Sequence, residues 1–140
     1  MAMTTHSVAD TRILLTLQFP PDDAARDRVR EFLQKEMAGG VVIIPSIVLS
    51  EFVKIAGART GLQAAIRTID MLKERGMKVR PIDEELALEA GRLLIKHREV
   101  PFADSLIAAF ATSKIAAYIL TDDPHFEILG SKTKWFSQGN

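Results

Sequence analysis

The sequence predicts an α/β fold of three α/β/α layers around a mainly parallel central sheet. Its β-branched run at 41–44 shows no alternation of polar residues, which is typical of a parallel strand buried on both faces. Amphipathic helical segments separate the runs of this kind, as βαβ crossovers require. With 140 residues, of which 47% are hydrophobic, the chain is expected to form a single domain over 1–140 with a sizeable core. We expect residues 1–6 to be a flexible N-terminus.

The first half of the chain alternates strands with helices. Asp22 or Asp23 is a suitable N-cap, and Gly39-Gly40 is a suitable helix end. The expected elements are a strand at 7–10, a buried helix or strand at 13–17, a helix at 26–37 with Val29, Phe32, Leu33 and Met37 inward, a strand at 41–44, and a helix at 47–58.

The second half continues the same alternation. Thr60 and Gln63 have the spacing of a capping box, and Asp83 is a suitable cap for the helix after 77–82. The expected elements are a helix at 62–75 with Ala65, Ile66, Ile69 and Leu72 inward, a strand at 77–82, a helix with Leu86, Ala90, Leu93 and Leu94 on its apolar face, a buried helix from near Asp104 to Ala111, a strand at 117–120, and an edge strand at 134–136.

Composition excludes several classes of site. The chain has no cysteine, which excludes disulfides, thiolate zinc sites and cysteine nucleophiles. Lysine plus arginine balance aspartate plus glutamate at 18 each, so net charge provides no general attraction to nucleic acid. No stretch has the length of a membrane span or the pattern of a signal peptide, and we expect a cytoplasmic protein.

Acidic residues occur where apolar runs end or helices begin: Asp10, Glu51, Asp104 and the pair Asp122/Asp123. Parallel α/β sheets collect ligands beyond the carboxyl ends of their strands, so the topology brings distant acids together. Crowded carboxylates repel each other unless a cation lies among them, and hard oxygen ligands favour Mg²⁺ or Mn²⁺. Such an ion activates water for phosphodiester hydrolysis. The pattern therefore favours a metal-dependent nuclease.

Each acid also has an ordinary interpretation. Asp10 and Asp104 would serve as N-caps, Glu51 would pair with Lys54 on an exposed helix face, and Asp122/Asp123 would be turn residues. His125 is interpreted as an exposed turn residue in preference to a proton-transfer group. Trp135 and Phe136 are expected to close the core and not to stack on a base. The joint pattern of the acids carries the functional hypothesis.

Four segments resemble the PIN domain, and in particular its small VapC-type toxins. They are Val8-Ala9-Asp10-Thr11, Ile44-Pro45-Ser46-Ile47-Val48-Leu49-Ser50-Glu51, Phe102-Ala103-Asp104-Ser105-Leu106-Ile107-Ala108-Ala109 and Leu120-Thr121-Asp122-Asp123-Pro124-His125-Phe126. The resemblance covers about residues 8–126. It implies a ribonuclease that depends on Mg²⁺ or Mn²⁺ and hydrolyses RNA phosphodiesters with a metal-activated water.

The resemblance also implies roles for individual residues. Asp10 and Asp104 would be the principal metal ligands, while Glu51 and Asp123 would complete the site directly or through water. The pattern Thr-x-Asp-x-x-Phe selects Asp123, with Asp122 as a possible substitute. The hydroxyls of Thr121 and Ser105 are candidates for orienting the metal ligands, and Arg12, Lys54 and Arg59 are candidate contacts for RNA phosphates. Lys54 and Arg59 are interpreted as solvated charges in preference to that role.

Arg12 departs from the family pattern. It would either bind a substrate phosphate or pair with an acid and weaken the site. The expected partners are RNA, a small antitoxin protein and a second copy of the chain. The alternatives are a catalytically silent PIN-like module that binds RNA or protein, and a PIN ribonuclease of RNA processing without an antitoxin.

Overall fold

A computed structural model describes residues 5–136. Five parallel strands form one sheet in the order β3-β2-β1-β4-β5, which confirms the predicted α/β fold with a parallel sheet. The strands are β1 (Thr5–Ala9), β2 (Gly40–Pro45), β3 (Lys78–Arg80), β4 (Tyr118–Leu120) and β5 (Thr133–Lys134).

Seven helices join the strands within the described residues. They are α1 (Thr11–Gln18), α2 (Asp23–Gly39), α3 (Ser46–Thr60), α4 (Leu62–Glu74), α5 (Glu84–Lys96), α6 (Phe102–Thr112) and α7 (His125–Ile128). None of them is both long and apolar enough to cross a membrane.

The central strands are buried on both faces. Consecutive residues Val8 and Ala9 of β1, and 42–44 of β2, have almost no exposed surface although they point to opposite faces. Val8 lies opposite Ile43 on one side and Ile119 on the other. Helices therefore cover both faces of the sheet, as the absence of polar alternation predicted.

The strand order changes direction between β1 and β4. From β1 the chain adds β2 and then β3 on one side, and it later returns to place β4 and β5 on the other side. Connections that leave two neighbouring strands in opposite directions open a crevice at their carboxyl ends. The residues that follow β1 and β4 border this crevice.

Side-chain caps set the start of several helices. The Asp22 carboxylate accepts a hydrogen bond from the backbone N–H of Ala25, and the Asp83 carboxylate accepts one from Leu86. These contacts confirm both aspartates as N-caps of α2 and α5. Each satisfies one of the backbone donors that the first helical turn leaves open.

The predicted capping box at Thr60 and Gln63 is wrong. Thr60 is the last residue of α3, and its hydroxyl donates to the Ala56 carbonyl of the same helix. Gly61 links α3 to α4 with φ of 94°, a conformation that favours glycine. Ile66, which we predicted to point inward, is 39% exposed.

Three further boundaries differ from the prediction. Helix α6 begins at Phe102 with Pro101 as its N-cap, so Asp104 lies in the first turn and does not cap it. The last strand ends at Lys134, and Trp135 and Phe136 pack partly against the core. Of the segment predicted to be flexible, residues 1–4 lie outside the described part and residues 5–6 belong to β1.

Candidate active site

Four separate segments carry the predicted acids to the crevice between β1 and β4. Asp10 directly follows β1, and Asp123 lies three residues after the end of β4. Glu51 lies in the second turn of α3 and Asp104 in the first turn of α6. The Coulomb interactions of Asp10 with Asp104 and Glu51, and of Asp104 with Asp123, connect the four acids electrostatically.

Asp10 is the most buried of these acids, at 4% exposed. Its Oδ1 accepts a hydrogen bond from the Thr11 backbone N–H, and its Oδ2 accepts one from the Thr121 hydroxyl, each over 2.7 Å. Burial is the largest cause that raises the pKa of Asp10 to about 6; the neighbouring charges add to the rise, and the two hydrogen bonds oppose it. Asp10 also caps α1, so its ordinary interpretation holds alongside its place in the site.

Thr11 positions Glu51, a role that the sequence interpretation missed. The buried Thr11 hydroxyl donates to Glu51 Oε1 over 2.8 Å, while its backbone N–H donates to Asp10. Glu51 forms no ion pair with Lys54 within residues 5–136, so the exposed-pair interpretation is wrong. The sequence feature that could have indicated this contact is the hydroxyl residue Thr11 directly after the candidate acid Asp10.

Thr121 links the ends of the two central strands. Its hydroxyl donates to Asp10 Oδ2 and accepts a hydrogen bond from the Asp123 backbone N–H over 3.1 Å. The side chain is 1% exposed. Thr121 therefore holds Asp10 and the backbone of Asp123 in fixed relation to each other.

Asp104, Asp123 and His125 form a compact cluster of potential metal ligands among residues 5–136. One ligand atom from each lies within 4.8 Å of the other two. His125 Nδ1 is 3.0 Å from Asp123 Oδ1 and 3.3 Å from Asp104 Oδ2. Burial, and then the charge of Asp123, raise the pKa of Asp104, while the charge of His125 lowers it. Asp10 and Glu51 are not members of this compact cluster.

The two neighbouring aspartates after β4 lie in different surroundings. Asp123 belongs to the compact cluster, whereas Asp122 pairs with the guanidinium of Arg12 at the exposed rim. Arg12 therefore pairs with an acid, and that acid is outside the cluster. The charges of Asp123 and Asp10 also stabilise the Arg12 cation, so the guanidinium lies within electrostatic reach of the site.

The remaining predicted residues do not contact the acids. The Ser105 hydroxyl is buried and donates to the Phe102 carbonyl of its own helix over 2.6 Å. Lys54 is exposed on α3. The Arg59 guanidinium lies 3.9 Å from the centre of the Phe19 ring, in a cation–π contact.

The donor set fits a divalent cation. Burial and mutual repulsion raise the pKa values of Asp10 and Asp104, so their ionised forms are destabilised without a positive charge. The compact cluster provides two carboxylates and one imidazole, and Mg²⁺ and Mn²⁺ take such oxygen-rich sites.

Comparison with known proteins relates this fold to one family. A family model for the PIN domain matches residues 7–132. A comparison with curated proteins found no significant sequence match.

Several solved structures share the fold. VapBC2 from Rickettsia felis, bound to a DNA fragment from its promoter, matches with a TM-score of 0.77 and 16% identity over 94% of this chain and 98% of that chain. VapBC-1 from nontypeable Haemophilus influenzae matches with a TM-score of 0.74 and 21% identity over 96% of this chain and 100% of that chain. A VapC toxin of Mycobacterium tuberculosis that cleaves the sarcin-ricin loop matches with a TM-score of 0.72 and 20% identity over 89% of this chain and 95% of that chain.

Proposed function

Because the chain belongs to the PIN domain family, we propose that it is a metal-dependent endoribonuclease and the toxin of a type II toxin-antitoxin pair. The observation that carries the proposal is the convergence of Asp10, Glu51, Asp104 and Asp123 at the β1–β4 crevice. PIN domains are nucleases, and this convergence is what a nuclease that requires Mg²⁺ or Mn²⁺ needs.

The four acids would bind the cation in different ways. Asp104 and Asp123 would hold the cation directly, since their carboxylates lie in the compact cluster. Asp10 would bind it with a lone pair that its two hydrogen bonds leave free. Glu51 would act directly or through water, in the orientation that Thr11 sets.

Hydrogen bonds from two threonines orient the acidic side chains of the site. The hydrogen bonds from Thr121 and from the Thr11 N–H favour the ionised carboxylate of Asp10. The Thr11 hydroxyl donates to Glu51 and fixes the orientation of that side chain. When bound, the cation would activate a water and offset the negative charge that develops on the phosphodiester. Arg12, at the rim, would contact a substrate phosphate if RNA displaces it from Asp122.

RNA and an antitoxin are the partners that follow from this proposal. The Mycobacterium tuberculosis toxin of the same fold cleaves the sarcin-ricin loop, which supports an RNA substrate. Another chain of the same fold, with a TM-score of 0.63 and 20% identity, comes from a toxin-antitoxin complex of Klebsiella pneumoniae, which supports an antitoxin partner. We propose that this antitoxin is small and covers the acidic site. The protein would act in the cytoplasm, where such RNA lies.

A second copy of the chain is a further proposed partner. Leu88 and Ile95 lie seven residues apart on α5 and are 69% and 74% exposed, and Phe102 at the start of α6 is 67% exposed. Residues at i and i+7 lie on one face of a helix, so this region offers apolar surface for a homodimer. Analytical ultracentrifugation tests this part of the proposal, and a monomer at micromolar concentration contradicts it.

Cleavage of a structured RNA by the purified protein tests the proposed activity. We expect cleavage with Mn²⁺ or Mg²⁺ and none in EDTA. Asp104→Asn should reduce the rate by about 10²-fold or more, because the cation would lose a charged ligand worth several kcal/mol. Asp70→Asn on α4 is the matched control, since it makes the same chemical change at an exposed residue outside the cluster, and it should cleave like the wild type.

Two results would contradict the proposed activity. Full activity in EDTA would exclude a metal-dependent mechanism, and an Asp104→Asn variant as active as the Asp70→Asn control would exclude Asp104 from the site. Metal binding without cleavage of any RNA would instead favour a catalytically silent PIN module.

A further inference from the structure

His125 approaches the proposed metal site from a direction that the four acids do not occupy. It is the first residue of α7 and follows Pro124. Its backbone N–H donates to Asp123 Oδ1 over 3.0 Å, which anchors the residue beside that carboxylate. This local turn places the imidazole beside the carboxylates of Asp123 and Asp104.

The Nδ1 atom of His125 is buried, although 40% of the side chain is exposed, and it makes no hydrogen bond of good geometry in the described part of the chain. The carboxylate oxygens of Asp123 and Asp104 lie only 3.0 and 3.3 Å from it. At these distances a hydrogen bond would form if the ring nitrogen were aimed at either oxygen. The nitrogen is therefore close to both oxygens but poorly aligned with each, although its contact with Asp104 still lowers the pKa of that carboxyl group.

Ligands around a shared cation have this geometry. Each ligand atom is directed at the ion and not at its neighbours, and with bonds of about 2.0–2.1 Å, ligands at right angles lie about 3 Å apart. The separations of Nδ1 from the two oxygens, 3.0 and 3.3 Å, match this spacing. One cation would thus satisfy the unpartnered nitrogen and neutralise both carboxylates.

We propose that His125 Nδ1 is a nitrogen ligand of the divalent cation that Asp104 and Asp123 hold, an inference that rests on the proposed function. A site with an imidazole favours Mn²⁺ over Mg²⁺, because nitrogen ligands follow the Irving–Williams order whereas Mg²⁺ prefers oxygen. His125 would therefore set the metal preference of the site.

Pulsed electron paramagnetic resonance of the untagged, Mn²⁺-loaded protein tests this ligand directly. We expect electron spin echo modulation from one coordinated ¹⁴N nucleus. Biosynthetic labelling of the three histidines with ¹⁵N should replace that modulation with the ¹⁵N pattern. This change would show that the nitrogen ligand comes from a histidine and not from the backbone amide of another residue type. The measurement uses the wild-type protein, so it does not depend on the folding of a variant.

Variants assign the nitrogen and test the metal preference. His125→Gln should abolish the modulation and lower Mn²⁺ affinity by about tenfold or more, as losses around metal ligands commonly do, with a smaller loss for Mg²⁺. His97→Gln is the matched control, because His97 is the C-cap residue of α5 and is absent from the cluster. It should keep the modulation and the ratio of Mn²⁺ to Mg²⁺ affinity.

The possible failures are distinguishable. If Mn²⁺ binds, loses its site in Asp104→Asn, and shows no ¹⁴N modulation, His125 is not a ligand but the proposed function stands. The imidazole would then be a neighbour of the two carboxylates that does not bind the cation. If Mn²⁺ does not bind the wild type at all, both the ligand assignment and the metal-dependent function are wrong.

Discussion

Asp10 combines two roles that the sequence presents as alternatives. Its carboxylate caps α1 through the Thr11 N–H, and it lies buried beside the other acids of the crevice. A carboxylate that accepts one hydrogen bond at each oxygen keeps lone pairs for a further partner. Capping therefore accounts for the local conformation of Asp10 but leaves its ability to bind a cation intact.

The raised pKa of Asp10 predicts how the stability of the metal-free protein depends on pH. The group ionises near 3.8 when unfolded and near 6 when folded. Its contribution to folding is therefore fully present below pH 4 and is lost as the pH rises through 6. The full loss is about 3 kcal/mol, from a shift of about two pKa units at about 1.4 kcal/mol each.

Asp10→Asn isolates this contribution because asparagine does not ionise. In EDTA, the free energy of unfolding of Asp10→Asn relative to the wild type should rise between pH 4.5 and pH 7.5 by about 2 kcal/mol, since part of the full change occurs below pH 4.5. Urea denaturation at both pH values measures the difference. Asp70→Asn, at an exposed position, is the control, and a difference for Asp10→Asn that does not change with pH would contradict the raised pKa.

Thr121 offers a second test at the residue scale. Thr121→Val keeps the shape of the side chain but removes the hydrogen bond to Asp10 and the acceptor for the Asp123 N–H. We expect Mn²⁺ affinity to fall by about 10- to 100-fold, as it does when groups that orient metal ligands are lost.

Titration of bound Mn²⁺ by electron paramagnetic resonance measures the effect at Thr121. Thr121→Ser, which retains the hydroxyl, should lose much less affinity. Thr16→Val is a control for the loss of a threonine hydroxyl, since that hydroxyl donates only to a backbone carbonyl of α1. Equal affinities of Thr121→Val and Thr121→Ser would show that the hydroxyl does not position the ligands.

The sequence predicted which segments meet at the site better than it predicted their contacts. Strand-end position and the family motifs indicated Asp10, Glu51, Asp104 and Asp123, and the structure brings these segments to one crevice. The hydroxyl of Thr11 and the ring of His125 were not assigned to it. Their roles depend on side-chain directions, which follow from tertiary packing and are not encoded in spacing.

At the scale of elements, helix starts were predictable where a side chain caps the backbone locally. Asp22 and Asp83 each bond an N–H three residues ahead, a contact that depends only on nearby sequence. The join between α3 and α4 was not predictable in this way, because Thr60 continues α3 and a backbone turn at Gly61 replaces the side-chain cap. A threonine followed by glutamine at the right spacing is compatible with both outcomes.

Two glycine substitutions test this account of the helix join. Gly61 has φ of 94° and ψ of 152°, a region almost restricted to glycine, so Gly61→Ala should lower the free energy of unfolding by about 1–3 kcal/mol. Gly91 lies inside α5, with open space at the position that a Cβ would occupy. Gly91→Ala should raise the free energy of unfolding by about 0.5–1 kcal/mol through higher helix propensity.

Urea denaturation distinguishes the two substitutions, which add the same methyl group without a steric clash. We expect the two substitutions to change the free energy of unfolding in opposite directions, because only Gly61 requires a positive φ. A neutral or stabilising Gly61→Ala would mean that the join adopts another conformation in solution.

At the scale of the whole molecule, the parallel topology concentrates a destabilising charge cluster in one place. The change of direction between β1 and β4 brings together acids that lie up to 113 residues apart in sequence, from Asp10 to Asp123. The overall charge is zero, so the cost of this cluster comes from its arrangement and not from excess negative charge. The fold tolerates this repulsion at the position where a cation would relieve it.

We therefore expect Mn²⁺ to change the stability of Asp10→Asn relative to that of the wild type. Without metal at pH 7.5, Asp10→Asn should be more stable than the wild type because the variant lacks one buried charge. Mn²⁺ at about a hundred times its dissociation constant should stabilise the wild type by about 2.7 kcal/mol. The variant has one carboxylate fewer to offer and should gain much less, so its advantage should largely disappear.

Urea denaturation of both proteins at pH 7.5, in EDTA and in saturating Mn²⁺, measures this change. Asp70→Asn should follow the wild type in both conditions, because its side chain is exposed outside the cluster. Equal stabilisation of Asp10→Asn and wild type by Mn²⁺ would show that Asp10 contributes nothing to metal binding. Its buried charge would then have to be explained without a metal, and the cation would be assigned to Asp104, Asp123 and their neighbours alone.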